Sequence, residues 1–226
     1  MLGQGGASIV SRRLGQKKRK EADRTIWNVF FLCLIASVVL TIFALVFLEP
    51  LLTLFGASVD VMPYALEYSR IIALGAFTVI FGMAGNNLIR SEGNAKVAMI
   101  AILIGTLSNI PLDWLFIVRL DMGLTGAALA TTLAHVLGII YGAYYFFGPQ
   151  RRLKFDFTHH YMEWPIVKEI SAVGFPSFAR QFAGIFMVIL MNRALLEHGG
   201  DVAIAMFGVL YRLFAFMMMI EFGVIQ

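Results

Sequence analysis

The sequence predicts an all-α protein that crosses a membrane several times, and three observations predict it. Of its 226 residues, 59% are hydrophobic and only 14% charged, whereas an ordinary soluble domain carries roughly 25% charged residues. Mean hydropathy is +0.80. The apolar residues also gather into runs of about 20, the length that spans the hydrocarbon core as a helix, with Lys and Arg collected between the runs.

Taken in order, the glycine-rich Met1–Val10 is too short to span and reads as the end of a helix. Six longer runs follow: Thr25–Leu48, Tyr68–Leu88, Ala95–Val118, Met122–Phe147, Phe175–Leu196 and Val202–Gln226. Charges inside them are few: Arg70, Lys96, Asp113, Arg180, Arg193, Arg212 and Glu221. The lone Cys33 supports no disulfide framework. No signal-peptide pattern precedes the first run, and the chain closes on EFGVIQ without a polar tail. It is therefore expected to be part of a larger protein.

The loops set an orientation. Segments 11–24, 90–96 and 148–168 hold thirteen Lys and Arg, while 49–67, 119–121 and 197–201 hold one. By the positive-inside rule the first group faces the cytoplasm. The net charge of +4 is thus a topology signal and does not point to nucleic acid. The longest connection, 148–171, ends in Trp164, Ile166, Val167 and Ile170 at helical spacing, which predicts an interfacial amphipathic helix. The boundaries expected are 1–147 for a first lobe, 148–171 for a cytoplasmic linker and 172–226 for the start of a second lobe. His159 and His160 in the linker lack further ligands, and no metal is expected there.

The stretch LSNIPLDWLF (107–116) carries the chemistry. Asn109 and Asp113 are four apart and share a helix face, with Thr106 on the same stripe. Pro111 cannot donate to Leu107, so a bend and a freed carbonyl are expected. Carboxylate, amide and carbonyl oxygens suit a proton or a small hard cation. Asp113 lies roughly 9 Å from Arg119 along the axis, and Thr131 roughly 14 Å into the next span, at 1.5 Å per residue. Thr131 is therefore expected to meet Asp113, with Thr132 or His135 nearby. The alternative, a carboxylate acting as interhelical glue, stays open, although a charged Asp at mid-membrane costs at least ~2.5 kcal/mol. His135 reads as a packed polar residue.

With these residues placed, the sequence resembles the multidrug and toxic compound extrusion (MATE) transporters along nearly its whole length. GQGGASIVSRRLGQKKRKEAD resembles the end of that family's helix two. LIRSEGNAKVAM (88–99) resembles its Arg-x-Glu-Gly-Asn loop, and NIPLDWLFI with GLTGAALATTLAH (123–135) its most characteristic N-lobe stretch. GFPSFARQF (174–182) is similar to the start of its C-lobe. The resemblance implies a MATE-like bundle, here about six and a half of twelve helices. It implies alternating access and a proton or sodium site at Asn109, Asp113 and Thr131. Some members use a helix-seven glutamate that is Gly184 here, which leaves Arg180 and Gln181 as the polar candidates on that helix.

Arg90 and Glu92 are expected to order a cytoplasmic turn, with gating as the other reading. Glu221 is either a cavity residue or a group near the cytoplasmic end. The expected function is H⁺- or Na⁺-coupled export of small organic, often cationic, compounds across the plasma (inner) membrane. Beyond the coupling ion no cofactor is expected, and no enzymatic chemistry. The expected partners are lipid and substrate, around a monomer. A lipid-linked oligosaccharide flippase of the same superfamily is the alternative.

Overall fold

The computed structural model describes residues 1–148 and 162–225, with side chains described through Met218. Eight α-helices and one π-helix make up these residues, with no strand among them. They are α1 (Leu2–Gly15), α2 (Arg19–Val46), α3 (Leu48–Leu54), α4 (Met62–Leu74), α5 (Ala76–Ser91) and α6 (Ala95–Asp113). A π-helix (Trp114–Arg119), α7 (Gly123–Phe147) and α8 (Trp164–Ile225) complete the chain. His159 and His160 lie outside the described residues.

Four helical stretches are long and apolar enough to cross a membrane: Arg19–Val46, Ala95–Arg119, Gly123–Phe147 and Trp164–Met218. The bent pair α4 and α5 passes the same test together, and taken as one span it makes a fifth crossing. Within the run Tyr68–Leu88 the axis turns by 49° at Gly75. The turn has a local cause on each side. Thr78 Oγ1 donates back to the Gly75 carbonyl (2.7 Å). A Cβ on Gly75 would meet Thr132 Oγ1 at 2.7 Å, so only glycine lets the break nest against α7.

The last two expected spans occupy one element, α8, interrupted at Gly200 (φ 61°, ψ −163°). That backbone conformation favours glycine and divides α8 into arms 164–199 and 201–225. The arm 164–199 would be roughly 54 Å long at 1.5 Å per residue, well beyond a ~30 Å core. Its first turns therefore project past the hydrocarbon. This corrects the expectation of a separate interfacial helix ending at residue 171. The apolar stripe Ile166, Val167 and Ile170 is buried against protein, and the helix runs on without a break through 172. Gly5 makes this possible, since its missing Cβ would sit 2.4 Å from the Ile170 carbonyl oxygen.

The core sits at the Arg-rich end. Ile9 and Val10 of α1, Val29 of α2, Leu88 of α5, Phe146 of α7 and Ile170 of α8 form one cluster. Phe30 packs edge-on against Phe146 with ring centroids 5.4 Å apart. Toward the other end most α2 side chains from Val38 to Phe47 are exposed, as befits a surface facing lipid.

Contacts between distant segments support the two-sided topology. Arg13 binds Glu169 at 2.8 Å, and Arg24 pairs with Glu163 at 3.6 Å. The Glu163 amide also donates to Asn28 Oδ1 (2.9 Å). At the Arg-poor end, Ser58 Oγ donates to Asp201 (2.8 Å) and Asn192 Nδ2 to the Phe55 carbonyl (3.0 Å).

Candidate functional site

Helices α6 and α7 cross antiparallel in close contact because glycine lies at the crossing. A Cβ on Gly105 would be 3.2 Å from the Ala134 carbonyl oxygen, and one on Gly138 would be 3.0 Å from that of Ala101. These two approaches define a register in which residue 105 is level with 134 and 101 with 138. Extended along the helices, it puts Asn109 level with Thr131 to within about one residue, or ~1.5 Å. Asp113 falls nearer Gly126, about five residues or ~7.5 Å beyond Thr131 toward the Arg-poor end. In this register Thr131 is level with Asn109, and Asp113 lies further along toward the Arg-poor end.

A cavity of about 850 Å³ opens beside this crossing. Thr106 and Asn109 of α6 line it together with Thr131 and His135 of α7. Its walls include Trp27, Phe30, Phe81 and Phe146. Asn86, Asn87 and Arg90 of α5 line it toward the Arg-rich end. Asp113 is not among the lining residues. It is half-buried at the last position of α6, and its carboxylate makes no hydrogen bond or ion pair among the described residues.

The polar groups differ in what they have left to offer. Thr131 Oγ1 donates to the Ala127 carbonyl at 2.9 Å, so its oxygen remains free to accept. Asn109 Nδ2 is buried with no hydrogen-bond partner among the described residues. Leaving such a donor unmet costs about 1–3 kcal/mol. Asn86 is committed to the Ala98 carbonyl (2.7 Å) and Asn87 to that of Met83 (2.8 Å).

Pro111 acts differently from a simple bend. Helix α6 continues as an α-helix through Asp113, and the winding then widens to a π-helix over Trp114–Arg119. There the Leu120 amide donates to the Leu115 carbonyl at 3.0 Å. With no N–H at Pro111 the regular ladder is broken, and wider winding downstream re-pairs the backbone. Asp113 stands at that junction.

The remaining candidates separate. Arg90 is exposed at the cavity. Glu92 is only 3% exposed and does not line it. Its carboxylate accepts a hydrogen bond from Tyr145 Oη (2.8 Å), and Asn94 Nδ2 donates to the same hydroxyl. The α5–α6 turn is thereby tied to the end of α7. Gln181 is exposed on α8 and lies outside the cavity. The Glu221 side chain falls outside the described residues. His135, expected to be packed, is instead exposed and lines the cavity. Sequence reasoning passed over Asn86, Asn87 and Trp27. The adjacent amides in the apolar run GMAGNNLI were the available signal.

Apolar helices crossing as a bundle, with amide and hydroxyl groups facing a cavity between them, define a polytopic membrane protein. The chain matches the MatE family over residues 1–115 and belongs to that family. It is 26% identical to the multidrug export protein MepA of Staphylococcus saprophyticus over all of its own length and 50% of that protein's. Among solved structures it is similar to the MATE multidrug transporter DinF-BH in complex with R6G, with 38% identity and a TM-score of 0.91. That match covers 96% of this chain and 49% of the other. It is also similar to the inward-facing conformation of a multidrug resistance MATE family transporter of the MOP superfamily. Here identity is 32% and the TM-score 0.88, over 93% of this chain and 48% of that one. The chain thus spans about half the length of the relatives it matches.

Proposed function

We propose that the whole protein is a secondary antiporter of the plasma membrane that exports amphipathic organic compounds by alternating access, driven by H⁺ or Na⁺. The observation that carries the coupling site is the α6–α7 register. It sets Asn109 and Thr131 level on one cavity wall, one helical turn from a carboxylate, Asp113, that makes no hydrogen bond or ion pair among the described residues. Asp113 would take the ion, with Asn109 Oδ1 and Thr131 Oγ1 supplying further oxygens. The junction after Pro111 is where a change of charge on Asp113 would alter winding. For this to drive transport the ion must bind the two access states with different affinity. The substrate leaves unchanged, and the assembly is a monomer in contact with lipid. A flippase for lipid-linked oligosaccharides is not favoured, because the relatives are multidrug exporters and the cavity walls are aromatic and aliphatic.

The test is efflux of a fluorescent organic compound from proteoliposomes of the full-length protein, under a pH gradient and separately a Na⁺ gradient. Asp113→Asn should abolish efflux under whichever gradient drives the wild type. Efflux by the variant equal to wild type would move coupling elsewhere.

A further inference from the structure

Charge is concentrated at the turn between α1 and α2. Segment 11–24 carries seven Lys and Arg against two acids, Glu21 and Asp23. Arg13 and Arg24 pair with Glu169 and Glu163 at the start of α8, whereas Arg12, Lys17, Lys18, Arg19 and Lys20 are exposed. The backbone closes the turn on itself. The Lys17 amide donates to the Leu14 carbonyl and the Lys18 amide to that of Arg13, both at 2.9 Å. Arg13 Nη1 adds a bond across it to the Glu21 carbonyl (3.0 Å). Two of the exposed cations share an acid, Lys18 with Glu21 (3.3 Å) and Arg12 with Glu169 (3.9 Å). Lys17, Arg19 and Lys20 form the rest of the cluster.

Depth and face place this cluster at a membrane surface. Arg19 opens α2 six residues before Thr25, where the charge-free run begins, or ~9 Å along the axis. The headgroup layer is about 5–8 Å thick on each side of the hydrocarbon, so these long side chains stand within or beside it. Lys20 precedes Phe31 by eleven residues, or about three turns, and so shares its face of α2. Phe31, Leu34, Val38 and Ile42 continue that face and are all exposed. One helix face thus runs from a lysine onto apolar side chains, which matches a phospholipid in both charge and polarity.

We infer that the α1–α2 turn binds anionic phospholipid headgroups of the cytoplasmic leaflet. Lys17, Arg19 and Lys20 meet the phosphates, and the α2 face from Phe31 to Ile42 meets the acyl chain. Clusters of Lys and Arg beside a membrane span attract anionic lipid additively, residue by residue. A soluble polyanion would use the charges and leave the apolar face unmatched. The inference needs only the membrane topology, and it stands or falls apart from the coupling site.

The experiment is spin-label electron paramagnetic resonance on the full-length protein in phosphatidylcholine vesicles, with spin-labelled phosphatidylglycerol compared against spin-labelled phosphatidylcholine. Phosphatidylglycerol should associate about threefold more strongly at about 0.01 M salt, where the screening length is ~30 Å. The two should associate equally at about 1 M, where that length is ~3 Å. Combined Lys17→Gln, Arg19→Gln and Lys20→Gln should remove most of the preference, and Arg119→Gln, at the Arg-poor end, should leave it unchanged. Lys17 holds φ 62°, a conformation that favours glycine. Lys17→Gly should therefore melt no lower than wild type and still lose part of the preference, which separates lipid binding from folding. Three results would overturn the inference: equal association of the two lipids with wild type at low salt, an unchanged preference in the triple variant, or displacement of the labelled lipid by soluble glycerol phosphate at matched ionic strength.

Discussion

Arg13 and Glu169 meet at 2.8 Å across 156 residues of chain, joining the end of α1 to the first turns of α8. Arg13 also donates to the Glu21 carbonyl (3.0 Å) and to Thr25 Oγ1, so one guanidinium binds α1, α2 and α8 together. Glu169→Gln keeps the shape and removes the charge, and should cost about 1 kcal/mol, since the acid is partly exposed. Arg13→Ala strips all three partners and should cost about 2 kcal/mol. Thermal unfolding of the two variants in detergent, compared with wild type, checks both the order and the size.

Glycine at the α1–α8 crossing gives a sharper test. Gly5→Ala sets a Cβ 2.4 Å from the Ile170 carbonyl, a backbone atom that cannot rotate away. The helices must separate, at a cost of about 1–3 kcal/mol. Gly15→Ala, where nothing lies within 4 Å, should be neutral or stabilising by up to about 1 kcal/mol through helix propensity. Melting temperatures that move in opposite directions would bear out the packing; equal shifts would refute it.

Tyr145 holds the α5–α6 turn through Glu92. Tyr145→Phe removes one hydrogen bond from a carboxylate that is nearly inaccessible, and should destabilise by about 1–3 kcal/mol. The same change should speed hydrogen exchange of the backbone amides at residues 90–96. Unaltered exchange there would mean that the turn is held by other means.

Asn109→Leu separates stability from function. The buried Nδ2 has no partner among the described residues, so an apolar residue of similar size removes an unmet donor and should stabilise by about 1 kcal/mol, on the order of 2–4 °C for a chain of this size. Gradient-driven efflux should fall in the same variant. A variant that loses stability would show that Asn109 has a structural bond in the folded protein.

Much of this was legible in the sequence because helices in lipid obey one-dimensional rules. Runs of apolar residues located α2, α6 and α7, since backbone groups in hydrocarbon must pair within their own segment. The alternation of Lys and Arg predicted which loops share an end, and the Arg13–Glu169 and Ser58–Asp201 contacts agree. Asn109, Pro111 and Asp113 stood out because polar groups in such a run are costly.

What the sequence by itself determined is which stretches are apolar enough to cross, which loops share an end, and that α6 carries polar residues within an apolar run. Only the tertiary structure decided which groups join them. The Gly105–Ala134 and Gly138–Ala101 approaches set a register that no single helix contains, and it brings Thr131 level with Asn109 rather than with Asp113. The same packing exposed His135 to the cavity and laid Ile166, Val167 and Ile170 on α1 and its neighbours instead of on lipid. An apolar stripe looks identical in sequence whether it meets lipid or another helix. The difference arises only when Gly5 lets a second backbone come close enough to cover it.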